Sequence, residues 1–283
     1  MSDLTDVGLP AAGAYRSLGV RSLRKGVWSD VTDAVAEEVP VALEFNGVSH
    51  AVMMATPSDL EDFAVGFSLS EGIVANASQV YDIEVTQDGE GAGAGLTIHL
   101  TIASELFMKL KERRRNLTGR TGCGICGTES LDQAVRCPAP LSAARKFSTV
   151  AIARAVAQMR ERQQLGGITG STHAAMWADA QGDIQHSRED VGRHNALDKL
   201  VGALARGKVA TGEGFIVVTS RASYEMVQKT ASAGVSLLAA VSGVTGLAVD
   251  VARQSGLTLA GFARGSEMSI YTHPELIDME AQS

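Results

Sequence analysis

Between residues 147 and 271 the sequence switches repeatedly between helical and strand periodicity, and that alternation restricts the fold more than any other feature of the chain. Residues 150–165 are amphipathic at helical spacing, with Ser148 or Thr149 placed to cap them and Gly166-Gly167 placed to stop them. Residues 173–178 and 184–186 then read as strands, 195–204 as a helix, 215–219 as a buried strand and 223–233 as a helix. Strand 236–241, helix 245–254 and strand 257–262 follow, with 269–271 as an edge strand. Such alternation builds a mostly parallel or mixed sheet with helices on both faces, a three-layer sandwich. Ligands gather at the carboxyl ends of the strands in these sheets. Just past those ends stand Ser220-Arg221 and Ala263-Arg264-Gly265, whose amides and guanidinium groups suit an anion.

The amino-terminal part is organised differently. Residues 1–20 carry no clear period and read as a loose lead-in or edge strand. Val41, Leu43 and Phe45 alternate with Ala42 and Glu44, and Asn46-Gly47 separates them from the run 48–54. Both turn residues accept the positive φ of a type I′ turn, so a hairpin is expected. Thr56-Pro57 offers a cap and a first-turn proline, and Leu60, Phe63, Ala64 and Phe67 recur at helical spacing until Gly72. Strand-like runs at 80–85 and 96–102 flank the glycine-rich stretch 89–95, read as a hairpin loop because no helix start follows it. A helix over 105–115 ends in Arg113-Arg114-Arg115, which either complements the helix dipole or meets a polyanion. The chain therefore divides into a lead-in at 1–20, a smaller α+β domain at 21–116, a flexible loop at 117–140 and the sandwich at 141–283.

That loop concentrates the reactive chemistry. It holds all 3 cysteines, Cys123, Cys126 and Cys137, an odd and sparse set suited to a reducing compartment. Cys123 and Cys126 stand between glycines in Thr121-Gly122-Cys123-Gly124-Ile125-Cys126-Gly127, so little side-chain bulk covers either sulfur. Three chemistries compete. A zinc knuckle needs four ligands, which Cys137 and a histidine would have to complete. A thioredoxin-like redox pair should follow a strand and open a helix, and here residues 113–120 precede it. An exposed carrier of persulfide sulfur needs only an accessible thiolate and a neighbour able to resolve it.

Charge narrows the partners. Lys and Arg total 25 against 32 Asp and Glu, a formal charge of −7, so no global field draws nucleic acid and any polyanion must be held locally. Aromatic residues, at 5%, are too few for a base-stacking platform. No apolar run reaches the roughly 18 residues that span a bilayer, and no secretory layout opens the chain, so a cytoplasmic location without membrane contact is expected.

A second polar cluster, Glu189-Asp190-Val191-Gly192-Arg193-His194-Asn195-Ala196-Leu197-Asp198-Lys199, falls where a strand hands over to a helix. It reads either as a capped, solvated helix start or as a pocket in which Arg193 and Lys199 contact phosphate while Asp190 or Asn195 pairs with a base or sugar edge. Spacing does not choose between them. His173 invites comparison with zinc deaminases, but position 175 is alanine, residue 122 is glycine and Cys-x-x-Cys precedes the histidine, so the deaminase signature is not met.

Taken in order, Gly119-Arg120-Thr121-Gly122-Cys123-Gly124-Ile125-Cys126-Gly127, Thr172-His173-Ala174, the cluster from Glu189 to Lys199, Ser220-Arg221-Ala222-Ser223-Tyr224-Glu225-Met226-Val227-Gln228-Lys229 and Gly261-Phe262-Ala263-Arg264-Gly265 resemble the formate dehydrogenase accessory sulfurtransferase family, FdhD. The likeness runs from about Thr56 through Thr272. It implies a cytoplasmic, homodimeric sulfur carrier that takes persulfide sulfur from a cysteine desulfurase. The sulfur passes to a molybdenum or tungsten bis-pterin guanine dinucleotide cofactor, the cargo destined for a formate dehydrogenase. It also implies a cytidine-deaminase-like C-terminal domain without a metal site. On this chain the resemblance makes Cys123 the persulfide cysteine and Cys126 its companion. It assigns cargo contact to Phe262, Ala263, Arg264, Gly265, Ser266 and Glu267, where some relatives carry a further cysteine or basic residue, so that Arg264 is the main charged contact. Arg221, Arg193, Lys199 and His173 join the expected cargo contacts. The rival readings are a cofactor chaperone that moves no sulfur and a zinc-dependent hydrolase.

Overall fold

The structure, a computed structural model, describes residues 13–89, 94–118, 138–141 and 145–278 of the chain. The described residues form a mixed α/β arrangement built on two main sheets.

The first sheet has four strands in the order β4-β3-β6-β5, with β3 (Val39–Phe45), β4 (Val48–Ala55), β5 (Val80–Asp88) and β6 (Gly95–Ile102). The β3–β4 turn is the expected one, Asn46 at φ 48° and Gly47 at φ 77°. The Asn46 side chain also accepts from Ile102 N and donates to Ile102 O, binding the turn to the end of β6. Val41, Leu43 and Phe45 bury against α1 (Leu60–Ser70), whose Phe63, Ala64 and Phe67 supply the facing stripe. Helix α2 (Ser104–Thr118) adds Leu110 to the same core.

The carboxyl-terminal half carries the six-stranded sheet β13-β12-β11-β10-β8-β9. Its strands are β8 (His173–Asp179), β9 (Ile184–Asp190), β10 (Gly214–Val218), β11 (Leu237–Ala240), β12 (Thr258–Arg264) and β13 (Glu267–Ile270). Strands β10, β11 and β12 run parallel, while β8 and β13 lie antiparallel to their neighbours, so the sheet is mixed. A short parallel pair, β7 (Phe147–Ser148) with β14 (Ile277–Asp278), leads into the first sandwich helix.

Side-chain alternation sends Ile216, Val218, Leu238 and Leu259 to a face covered by α5 (Arg193–Arg206), α6 (Tyr224–Ser232) and α7 (Gly246–Ser255). Phe215, Val217, Leu237 and Ala260 go to the other face, against Ile152, Ala155 and Met159 of α3 (Thr149–Arg162). Helices on both faces make this the three-layer arrangement the alternation implies.

Three details depart from the sequence reading. Residues 15–36 are an antiparallel ribbon of β1 (Tyr15–Arg24) and β2 (Val27–Ala36), turning at Lys25 (φ 49°) and Gly26 (φ 81°), so of the loose lead-in or edge strand expected through residue 20 the strand is found, paired in a hairpin of its own. Thr56 does not cap α1, which starts at Leu60 after Asp59 in the left-handed region. Gly166-Gly167 does not end the helix either: α3 stops at Arg162, and α4 (Gln164–Thr169) runs through both glycines. Glu189 explains this, because its carboxylate accepts from Leu165 N and Gly166 N, and a Cβ on Gly166 would lie 3.0 Å from Glu189 Oε2.

Two contacts lock the halves together. Helices α1 and α5 touch backbone to backbone: a Cβ on Gly66 would lie 1.7 Å from Asp198 O, and one on Gly202 1.8 Å from Asp62 O. Beside them Lys199 Nζ lies 2.7 Å from Asp190 Oδ2 with both side chains fully enclosed. The same ammonium donates to Thr56 O, while Asp190 accepts from Thr56 N, Gly192 N and Asn195 Nδ2. Asn195 Nδ2 also donates to Met54 O, so every partner is supplied across the junction or by the start of α5. Removing one member leaves an uncompensated buried charge. Lys199→Met is therefore expected to lower unfolding stability by about 3–5 kcal/mol in urea titrations. Lys109→Met, which breaks the exposed Lys109–Glu105 pair, should change it by less than about 1 kcal/mol.

Candidate functional site

A cleft of about 790 Å³ opens where β10, β11 and β12 end. Thr219 and Val241 follow β10 and β11, and Ala263, Arg264 and Gly265 bound it at β12. The opposite wall comes from Met159, Arg160 and Gln163 at the end of α3, with the α4 glycines beside them. The position is the one a mixed α/β sheet reserves for ligands, outside the carboxyl ends of its parallel strands.

A bulge shapes the β12 side. Pairing with β13 shifts register between Gly261 and Arg264, and Phe262 sits at φ 52° with half of its surface exposed. A left-handed non-glycine residue costs roughly 1–2 kcal/mol, held here by the bond from Phe262 N to Ser242 O. The irregular step turns Ala263 inward, 1% exposed, and brings Arg264 to the cleft, where its Nε donates to Val241 O at 3.3 Å. The Phe262 ring closes against Gly243, whose added Cβ would meet it at 3.1 Å. Gly265, at φ 55°, and the exposed Ser266 and Glu267 complete the turn into β13.

The remaining expected contacts lie elsewhere. His173 opens β8 on the side shared by Ala175 and Trp177, facing α5 rather than the cleft. Burial pushes its imidazole below the ordinary histidine range, and the charges of Arg193 and His194 add to this, against the opposing pull of Asp190. His194 Nε2 lies 2.9 Å from Glu225 Oε2 and 3.4 Å from Ser223 Oγ, joining the starts of α5 and α6. That hydrogen bond is the leading reason the Glu225 carboxyl is held below its usual range, with burial opposing. Arg193 Nε is buried with no hydrogen-bond partner among the described residues. Arg221 is exposed past the end of β10.

The structure thus brings Ala263, Arg264 and Gly265 together in the cleft and His173, Arg193 and His194 together on the other face of the same sheet end. Lys199 belongs to neither group. Expected at a phosphate, it is sealed between Asp190 and the Thr56 carbonyl, because the first sheet covers the segment that looked like an open helix start. Asp190 and Asn195, weighed as partners for a base or sugar, are spent in the same junction. Cys123, Cys126 and Cys137 lie outside the described residues. Sequence reasoning missed Arg160 and Gln163; Arg160 stands in the basic last turn of a helix, where the dipole alone would account for it.

Comparison with known proteins adds four findings. Residues 36–278 match the model of the FdhD/NarQ family. The chain is 55% identical over 267 residues to the sulfur carrier protein FdhD of Cupriavidus necator, covering 94% of this chain and 91% of that one. It is 54% identical over 272 residues to the protein of the same name in Variovorax paradoxus, covering 96% of each. Among solved structures, a proposed formate dehydrogenase accessory protein from Desulfotalea psychrophila superposes with a TM-score of 0.72 at 23% identity, covering 94% of this chain and all of that one, a likeness of fold. No helix among the described residues is long and apolar enough to cross a membrane.

The His173 environment sets a pH dependence. Its folded-state pKa is depressed, so the folded protein resists a proton that the unfolded chain accepts near the ordinary value of 6.5. The resulting stability is complete above that value and is lost as the pH falls from it through the depressed one. In an NMR titration His173 should show a midpoint below 6.5 that rises in Arg193→Ala, while the also depressed His186, whose charged neighbours are Arg188 and Asp62, stays put.

Proposed function

The chain belongs to the FdhD/NarQ family, and from that membership we propose that it is a sulfurtransferase of the carrier type serving formate dehydrogenase. Sulfur comes from a cysteine desulfurase as a persulfide, rides on Cys123 with Cys126 as companion, and passes to the molybdenum or tungsten bis-pterin guanine dinucleotide cofactor as cargo. The names of the relatives support the carrier role. What carries the cargo half of the reading is one coincidence: Ala263-Arg264-Gly265, assigned to the cofactor by resemblance, bounds the large cleft at the sheet end. An acidic chain needs such a local cationic feature to hold pyrophosphates. On this reading the protein is a cytoplasmic homodimer. The segment 117–140 moves sulfur between the donor and a cytidine-deaminase-like domain at 141–283, with the α+β domain at 21–116 beside it.

The transfer uses the two thiols of the chain, and each turnover draws two electrons from a cellular thiol reductant. The Cys123 thiolate attacks the terminal sulfur of the desulfurase persulfide and expels the desulfurase thiolate, leaving Cys123 as a persulfide. The Cys126 thiolate then attacks the inner sulfur of Cys123. A disulfide forms, both electrons go to the outgoing sulfur, and hydrosulfide is released to the cargo metal. Two equivalents of a cellular thiol then reset the pair: the first forms a mixed disulfide, and the second displaces it and leaves as the reductant's own disulfide.

Mass spectrometry of the full chain incubated with desulfurase and cysteine should show about +32 Da, one sulfur, on the peptide holding Cys123, absent in Cys123→Ala. Formate dehydrogenase maturation should fall with either Cys123→Ala or Cys126→Ala. Full maturation with both variants would remove the carrier role and leave a cofactor chaperone.

A further inference from the structure

Among the described residues the cleft is lined by two guanidinium groups and no carboxylate, in a chain whose acids outnumber its bases by 32 to 25. Arg264 reaches it from β12, and among the described residues only its Nε is engaged, on Val241 O. Arg160 reaches it from the last turn of α3 and makes no ion pair or hydrogen bond among the described residues. The contrast within α3 is informative. Arg154, two turns earlier and outside the cleft, is neutralised by Asp183 at 2.5 Å. Two uncompensated like charges lining one concavity raise each other's energy, and a multiply charged oxyanion between them removes that penalty while accepting forked hydrogen bonds from both. The lining also includes the apolar Val156, Met159, Val241 and Ala263, a surface fit for the flat face of a ring.

We propose that Arg160 is a binding residue of this cleft, the second arm of a clamp that with Arg264 grips one phosphate or pyrophosphate group of a nucleotide. The inference rests on the cargo reading above and adds to it a contact that neither the sequence motifs nor the resemblance marks. The guanine dinucleotide arm of the cargo supplies the oxyanion, and the apolar part of the lining takes its ring.

Isothermal titration of the full chain with guanosine diphosphate, inorganic pyrophosphate and guanosine tests the clamp. The expected result is binding of the diphosphate by the unaltered protein and a loss of about tenfold or more in both Arg160→Ala and Arg264→Ala, the effect of a charge-assisted hydrogen bond. Arg160→Lys should recover part of it as a point charge without the fork. Pyrophosphate should follow the diphosphate, guanosine should be indifferent to Arg160, and Arg154→Ala should bind like the unaltered chain. If both arms hold the same group, the double variant loses less than the product of the single losses. A full-strength Arg160→Ala beside a weakened Arg264→Ala overturns the clamp and leaves the cargo reading standing. Multiplicative losses, or equal losses for guanosine, also overturn it. An unaltered protein that binds neither diphosphate nor pyrophosphate fails the cargo reading itself, and the clamp with it.

Discussion

The ion pair of Lys199 with Asp190 is the constraint on which the rest of the molecule turns. Enclosing an ammonium and a carboxylate is costly, and their attraction offsets the cost only when the remaining donors and acceptors are satisfied as well. Here they are satisfied by groups far apart in sequence: the Thr56 carbonyl and amide from the end of β4, and Asn195 and Gly192 from the start of α5. Only one placement of the four-stranded sheet against the sandwich meets all of these bonds at once. A slide of a few ångströms would leave a bare charge inside. The pair therefore acts less as adhesive than as a register mark.

Placement by that mark has consequences at both ends of the interface. It lets α1 and α5 approach until Gly66 and Gly202 accept only hydrogen where other residues have a side chain. It also brings Asp62, 8% exposed, under the guanidinium groups of Arg188 and Arg206. The α5 face of the sandwich is thereby committed to the first sheet. Among the described residues the α3 face has no such pair of buried charges and glycines holding a sheet against it, and there the cleft opens. One half of the protein shields one side of a sheet, and the other side keeps a concavity.

How much of this the sequence discloses depends on how local the cause is. The Asn46-Gly47 hairpin, the apolar runs of β8, β10, β11 and β12 and the helices between them follow from neighbours in the chain, and they stand where periodicity puts them. The β1–β2 ribbon has the same kind of turn, but Lys25 precedes the glycine in place of asparagine, and a positive φ at lysine carries no compositional signal. The helical course of Gly166-Gly167 depends on Glu189, a strand residue over twenty positions away. Lys199 is the sharpest case. Its neighbours in sequence are those of a solvated helix start, and only a carbonyl 143 positions back makes it a buried strut. The segment at Phe262–Arg264 was legible as a place but not as a bulge, because the left-handed step is fixed by Ser242 on the adjoining loop.

The same distinction sorts the charged residues by role. A cation whose counter-ion is built into the fold, as for Lys199, Lys229 or Arg188, lowers the energy of the empty protein and has little left to offer a ligand. A cation without one has its charge still to offer. Among the described residues Arg221, Arg264 and Arg160 make no ion pair and Arg193 Nε has no hydrogen-bond partner, and these groups stand at the carboxyl end of one sheet, on its two faces. In a chain of net charge −7, those guanidinium groups are a local exception to the overall sign of the charge, and a site for an anion has to be local in the same way.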